Sequence, residues 1–328
     1  MTARGDSRRF RAAREGEWRR LEDILNQAEK RSVRKLSDED LLALPILYRG
    51  ALSSLSVARE TSLDHELVTY LESLCSRAYF FVYGVRTSAS KRLGDFFKSD
   101  WPAAVRGLWR ETLASLLLTF IGALTGYLLV LGDPSWFGSF VPEGLAGDRD
   151  FGASTERLRS TLYDSPGFLS TFATYLFTHN SQVSIFAFAL GFAFGIPTVL
   201  LLLYNGLTLG AFIALFSSRG LGMELGGWLI IHGTTEIFAI VLAGAAGFRI
   251  GWSVVFPGDR TRLAAATEGG RAAALVMGGV IVMLLTAGLL EGFGRQLINS
   301  DGTRYAIGLT MLFLWCVYFY LPRRPANG

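Results

Sequence analysis

A histidine and a glutamate lie four residues apart in an apolar stretch, IIHGTTEIFAI, at residues 230–240. In an α-helix this spacing places His232 and Glu236 on one face. A charged side chain at the centre of a membrane helix costs about 2.5 kcal/mol or more, so the glutamate must be protonated, paired or hydrogen-bonded. The pair fits a proton relay, a metal pair, a contact to a substrate, or a buried polar pair that fixes helix register.

A metal site and an enzymatic site have less support than a relay or a binding contact. The other two histidines, His65 and His179, fall on other segments or at other depths, and a metal ion needs further ligands. No G-x-S-x-G or comparable motif supplies a nucleophile for the pair to activate. We therefore expect no metal, no cofactor and no enzymatic activity.

An Asn-Gly pair, Asn205-Gly206, separates a membrane span predicted at 183–203 from a short apolar piece at 207–216, and 205–218 is predicted as a short third span. Backbone groups freed at such a break must face protein or water, because lipid cannot satisfy them. Transporters place binding sites at broken helices of this kind, and a re-entrant hairpin without a ligand would explain the same residues. We predict a functional polar centre built from both segments: His232, Gly233, Glu236, Asn205 and Gly206.

Small residues recur every four positions in three predicted spans: Gly122 and Gly126; Ala187, Gly191 and Gly195; Ala243, Gly247 and Gly251. This spacing lets helix backbones approach closely in lipid. The small face could serve a homo-oligomer, although packing within one bundle is the simpler interpretation. We expect four of these small residues and the nearby proline to line a cavity or to pack the bundle: Gly191, Gly195, Ala243, Gly247 and Pro197.

The dipeptide His179-Asn180 precedes the second predicted span, at its expected outer mouth. Asn180 or Ser181 could there accept hydrogen bonds from the free N–H groups of the first helical turn. We expect a helix cap, and the preceding stretch GFLSTFATYLFTHNSQ is interpreted as lying on the membrane surface.

The composition places these residues in a membrane protein. Half of the 328 residues are hydrophobic and only 18% are charged. A membrane helix needs about 20 apolar residues, and blocks near that length occur at 112–131, 183–203, 225–247, 272–291 and 305–321. We predict an all-α fold, a polytopic bundle of about six spans, one of them short or broken, with a small cytoplasmic helical domain.

The chain divides into five parts by sequence. Residues 1–15 are Arg-rich and predicted to be disordered, and 16–92 carry apolar residues at helical spacing, which predicts a cytoplasmic helical domain. Residues 93–111 alternate aromatics and arginines, as in a helix at the membrane interface. The bundle covers 112–321, and 322–328 form a tail. Arginines near the span ends place both termini in the cytoplasm.

The net charge of +4 does not indicate nucleic-acid binding, because the arginines lack interleaved exposed aromatics. Contact with anionic lipid is a simpler use of a basic face. The two cysteines, Cys75 and Cys316, lie in unrelated contexts, so we expect no disulfide.

Several segments, in order, resemble the stage II sporulation protein M family. A YNG-L-LG element at 204–210 is followed by H-G-x-x-E at 232–236, then by A-G-A-A-G at 243–247 and a basic residue. The upstream LPILYRGALSSLSVAR and YLESLCSRAYFFVYG look like the helical N-terminal domain of longer members. The resemblance covers about Leu36 to Ala287.

This resemblance implies a multi-pass protein of the bacterial cytoplasmic membrane. The family's namesake recruits peptidoglycan-degrading partners during spore engulfment, although longer members occur in bacteria that form no spores. The resemblance therefore implies an anchor or scaffold of a cell-envelope assembly. Its partners would be membrane lipids and other proteins. We expect one of these proteins to be cytoplasmic and to bind through residues 16–92. The alternative function is a transporter or lipid-handling protein that uses His232 and Glu236 beside a helix broken at Asn205-Gly206.

Overall fold

The computed structural model describes residues 3–31, 36–60, 65–83, 89–163, 167–294, 298 and 300–321. The described residues are helical and contain no β-strand, which confirms the predicted all-α class. The chain forms two compact units, Met1–Arg92 and Leu93–Gly328. The predicted tail at 322–328 lies outside the described residues.

The first unit consists of α1 (Ala3–Arg31), α2 (Asp38–Glu60) and α3 (His65–Tyr83). Apolar residues at three- and four-residue steps give each helix one stripe, and the three stripes form a common core. The side chain of Ser37 starts α2 by accepting a hydrogen bond from the Asp40 amide at 3.2 Å. Cys75 is buried and free, and burial raises the pKa of its thiol to about 11.

Helix α1 begins at Ala3, where the sequence predicts disorder over residues 1–15. Glu15 lies within ion-pairing distance of two arginines at helical spacing, Arg11 at 3.7 Å and Arg19 at 2.9 Å. The Phe10 ring also lies 5.9 Å from that of Trp18 in the core. Exposed pairs of this spacing contribute only a few tenths of a kcal/mol each, so the aromatic contact matters as much as the charges.

The second unit begins with short helices and then contains long ones. The short helices α4 (Ala89–Asp95) and α5 (Trp101–Gly107) are joined by a π-helical turn and precede α6 (Trp109–Gly132). Three more short helices follow: α7 (Phe137–Phe140), α8 (Glu143–Ala146) and α9 (Thr155–Tyr163). The remaining helices are long: α10 (Gly167–Ala189), α11 (Ile196–Ser218), α12 (Gly222–Val255), α13 (Arg262–Leu289) and α14 (Asp301–Tyr320).

Six helices of the described residues are long and apolar enough to cross a membrane: α2, α6, α11, α12, α13 and α14. The first of these, α2, buries one face in the core of the first unit. The other five belong to the second unit, where α10 adds a sixth of 23 residues without Asp, Glu, Lys or Arg. The second unit is therefore a polytopic bundle.

The second and third spans differ from the prediction in their boundaries. The structure contains no break at Asn205-Gly206, because α11 runs without interruption from Ile196 to Ser218. The stretch GFLSTFATYLFTHNSQ is part of α10 and does not form a separate surface segment. The prediction of a short third span is therefore wrong.

The break between α10 and α11, at residues 190–195, lies ten to fifteen residues before Asn205. After a 3-10 turn at Leu190–Phe192, the chain passes through Phe194 and Gly195 with φ of +60° and +75°. Glycine adopts such angles freely, whereas phenylalanine is strained there. Pro197 then lies in the first turn of α11, where its missing N–H leaves no hydrogen bond unmade.

Helices α6 and α11 touch backbone to backbone at glycines. A Cβ added to Gly206 would lie 2.4 Å from the carbonyl oxygen of Thr119, and one added to Gly210 would lie 2.0 Å from that of Ala123. Gly122 and Gly126 present the matching surface of α6. Gly206 is therefore a packing residue, and its place in the predicted polar centre is wrong.

Helices α10 and α12 meet at a second set of small residues. A Cβ on Gly247 would lie 2.1 Å from the Ala187 carbonyl oxygen, and one on Gly191 would lie 2.3 Å from that of Gly247. Ala243 is buried in the neighbouring cluster with Trp101 of α5. These contacts support packing within the bundle over a cavity lining for Gly191, Ala243 and Gly247.

The predicted interfacial helix at 93–111 is partly docked on the bundle. Trp101 is only 1% exposed, and its ring lies 5.1 Å from that of Phe319 in α14. Trp109, eight residues later, is 55% exposed. Only part of this segment therefore presents aromatic side chains to the surroundings.

We predict that Gly210→Ala destabilises the bundle and that Gly270→Ala does not. The first substitution forces α11 away from α6, at a cost on the order of 1–3 kcal/mol. The second places a methyl group in open space on α13, where alanine is favoured over glycine by about 0.5–1 kcal/mol. Thermal unfolding of the detergent-solubilised chain measures both, and equal midpoints for the two variants would contradict the close contact.

Candidate functional site

Helices α10, α11 and α12 line a cavity of about 110 Å³, and residues of α8 and α9 also contribute to its lining. A buried water needs roughly 10–15 Å³ of such volume, so the cavity has room for several waters or for part of a small ligand. Most of its walls are apolar. The polar groups come from three long helices and one short segment: His179, Asn180, Asn205, Thr208, Glu236 and Arg149.

Glu236 lines this cavity and is only 3% exposed. The side chain of Asn180 hydrogen-bonds its carboxyl group. Within the part of the chain that the structure describes, the Oε1 atom of Glu236 has no hydrogen-bond partner. Since an unsatisfied carboxyl oxygen is costly at membrane depth, this oxygen is a natural contact for water or for a ligand donor.

His232 shares a helix face with Glu236, as the spacing predicts, but it does not line the cavity. Its ring is buried and lies edge to face against the Trp228 indole, with centroids 5.4 Å apart. Gly233 does line the cavity. The structure therefore keeps Glu236 and Gly233 in the polar centre and places the His232 ring in the packing around Trp228.

His179 and Asn180 lie within α10, more than three turns after its start at Gly167. The prediction that Asn180 caps a helix is therefore wrong, because the amides around it are already bonded within the helix. Both residues line the cavity, and Asn180 is the partner of Glu236. Sequence reasoning placed them at an outer mouth because the polar run THNSQ resembles a loop.

Asn205 lines the cavity from α11, although no break accompanies it. Thr208 lies on the same side, and its hydroxyl is 2.8 Å from the carbonyl oxygen of Phe140 and 3.1 Å from that of Tyr204. Successive helical residues point about 100° apart. Asn205 can therefore face the cavity while Gly206 packs on α6.

Arg149 forms part of the opposite end of the cavity and is 6% exposed. Its guanidinium donates to the carbonyl oxygens of Leu145 and Ala146, at 3.3 Å each, and lies 5.7 Å from the centre of the Phe212 ring. The sequence patterns described above do not single out this arginine. The apolar spacing of Leu158 and Leu162, both buried, was the available signal for a folded segment.

A lateral groove of about 630 Å³ runs along the other side of α12, between α6 and α14. It shares three lining residues with the cavity: Leu229, Gly233 and Ile237. These residues form the boundary between the two spaces. Gly233 contributes no side chain to this boundary.

Among the residues that the structure describes, no group of three or more His, Cys, Asp or Glu side chains is arranged to hold a metal ion. The polar groups of the cavity are instead amides, one carboxyl, one imidazole, one indole N–H, one hydroxyl and one guanidinium. Such a set can bind by hydrogen bonding and by charge.

We predict that a cysteine at position 205 reacts with a small water-soluble thiol reagent, because Asn205 lines the cavity. Leu202→Cys, one turn earlier on α11 and fully buried, is the matched control. Both are introduced into a Cys75→Ala, Cys316→Ser chain, and labelling rates are measured in membranes. Labelling of Asn205→Cys as slow as that of Leu202→Cys would show that water does not reach the cavity.

Comparison with known families agrees with the bundle architecture. The family model of stage II sporulation protein M matches residues 115–294, more than half of the chain. A domain of unknown function, DUF8413, matches residues 8–84. Searches among curated proteins and among solved structures gave no match. The cavity lies entirely within the larger matched range, and the chain belongs to the stage II sporulation protein M family of multi-pass membrane proteins.

Proposed function

We propose that this protein is a transporter or lipid-handling protein that holds a small amphiphilic ligand in the cavity of its bundle. The observation that carries the proposal is a buried carboxyl group, Glu236, facing a cavity with one oxygen unpaired among the described residues. A dry, fully paired carboxyl would have favoured a purely structural role. The location we propose is the bacterial cytoplasmic membrane, with both termini in the cytoplasm.

The walls of the cavity define the chemistry of this ligand. Leucine, isoleucine and phenylalanine side chains cover most of the surface, so the body of the ligand is apolar. Glu236, Asn180 and Asn205 offer acceptors on the cavity wall, so the ligand carries a hydrogen-bond donor or a positive charge. The lateral groove shares Leu229, Gly233 and Ile237 with the cavity, so we propose that an apolar ligand enters from that side.

The proposed role is binding and not catalysis. The one hydroxyl group among the cavity-lining residues, that of Thr208, is engaged with backbone carbonyl oxygens. A nucleophilic mechanism needs a hydroxyl or thiol beside a general base. The amides and the carboxyl of the cavity suit recognition of a donor group better than attack on a substrate.

A second candidate function is that of a scaffold in a cell-envelope assembly. The first unit has its own hydrophobic core, yet it exposes large apolar side chains near one end of the α2–α3 pair: Leu42, Ile46, Phe80 and Tyr83. Exposed apolar patches of this kind mark interaction surfaces. We propose that a cytoplasmic protein partner binds there, and a ligand site in the bundle is compatible with such a role.

We predict that Glu236→Gln and Gly233→Leu both release the ligand. The full chain is purified from its native membranes in polymer-bounded lipid discs, and bound small molecules are identified by mass spectrometry. Loss of a hydrogen bond to a charged group lowers retention by about tenfold or more. Gly233→Leu acts sterically, because even a Cβ added at this position would lie 3.1 Å from the Leu229 side chain.

Glu291→Gln is the matched control, since Glu291 is equally buried but does not line the cavity. It should retain the ligand like the wild type. Full retention by Glu236→Gln would refute the ligand site. Phe80→Ser tests the scaffold separately, because it should reduce co-purified proteins while the bound small molecule stays.

A further inference from the structure

We propose that a second groove, at the end of the bundle where α6 begins and α12 ends, binds one anionic phospholipid. The groove has a volume of about 890 Å³ and is formed by α6, the 190–195 turn, the start of α11 and the last part of α12. It shares no lining residue with the cavity around Glu236. The proposed lipid site is therefore separate from the cavity and does not depend on which ligand the cavity binds.

Two arginines give the polar end of this groove a positive charge. The Arg249 side chain is held in place by Glu111, at 2.7 Å, and by the carbonyl oxygen of Gly107, at 2.6 Å. Arg110 is exposed and forms no ion pair within the described ranges of the chain; its guanidinium lies 5.3 Å from the centre of the Trp109 ring. Two guanidinium groups against one carboxylate leave a net charge of +1, which suits a phosphodiester.

Aromatic side chains surround this charged end. Trp109, Trp252 and Phe256 are all more than half exposed, and the rings of Trp252 and Phe256 lie 4.4 Å apart. Tryptophan and arginine together are typical of the headgroup region of a bilayer. Phe194 extends the same surface from a backbone with φ of +60°. Strain of this kind persists where the surroundings impose it, and here it points an apolar ring outwards.

The floor of the groove is apolar further along the helices. Leu118 lies two turns beyond Arg110 on α6, about 12 Å away at the helical rise of 1.5 Å per residue, and Val199 faces it from α11. This length accommodates a headgroup at the arginines and the first part of an acyl chain below it. The change from charged to aromatic to aliphatic lining matches the order of groups along a phospholipid.

A second copy of this chain is the competing occupant. Its counterpart surface would also carry Arg110 and Arg249, so a symmetric contact would bring like charges together. An anionic lipid meets no such repulsion. The charge of the groove therefore favours the lipid.

Native mass spectrometry of the purified full chain tests the site, with phosphatidylglycerol and phosphatidylcholine as probes. We expect the wild type to retain phosphatidylglycerol in preference to phosphatidylcholine. Arg110→Gln should lower that preference roughly fivefold, the factor typical of one basic residue at an anionic surface. Trp252→Ala should lower retention of both lipids. Arg262→Gln, an exposed arginine at the start of α13 outside the groove, should change neither.

Equal retention of the two lipids by the wild type would overturn the proposal. So would an effect of Arg262→Gln as large as that of Arg110→Gln, since the attraction would then be diffuse. A dimer joined by a disulfide between two Trp252→Cys chains, in a background lacking Cys75 and Cys316, would show that a second copy covers the groove. Each variant is first checked for a thermal midpoint equal to that of the wild type.

Discussion

Backbone contact at glycines is the constraint on which the rest of the bundle depends. Lipid provides no hydrophobic force between helices, so close van der Waals packing has to hold them together. Ala187 of α10 meets Gly247 of α12, and Asn180 meets Glu236 two turns earlier on α10 and three turns earlier on α12. The same two helices therefore make both contacts. The glycine contact thereby sets the register that brings the amide to the carboxyl.

The same constraint explains why a cavity remains beside these contacts. Gly206 and Gly210 commit one face of α11 to α6, which leaves Asn205 and Thr208 on the adjacent face. Small residues at the contacts bring helix axes close at one level, and large side chains such as Trp228 and Phe212 separate them at another. A buried carboxyl is expensive in such surroundings, and the cavity beside Glu236 is where we propose that a ligand binds.

Much of this architecture could be predicted from the sequence, because apolar length and i, i+4 spacing are local properties. The apolar length of the spans predicts the all-α bundle, and the i, i+4 spacing predicts that Glu236 lies on a face that points into it. Asn205-Gly206 was misinterpreted as a break because Asn-Gly is a strong turn signal in water, whereas in lipid a glycine serves close packing. The true break carried its own signal, Gly195 followed by Pro197. The partnership of Asn180 with Glu236 depends on helix register across 56 residues of chain, which no local pattern contains.

An experimental structure of the full chain in lipid discs, at a resolution that shows ordered waters, tests the central claim most directly. We expect density for water or a ligand within hydrogen-bonding distance of the Glu236 carboxyl, in the cavity that Asn180 and Asn205 also line. A closed, dry contact in which protein groups alone satisfy both oxygens of Glu236 would contradict it.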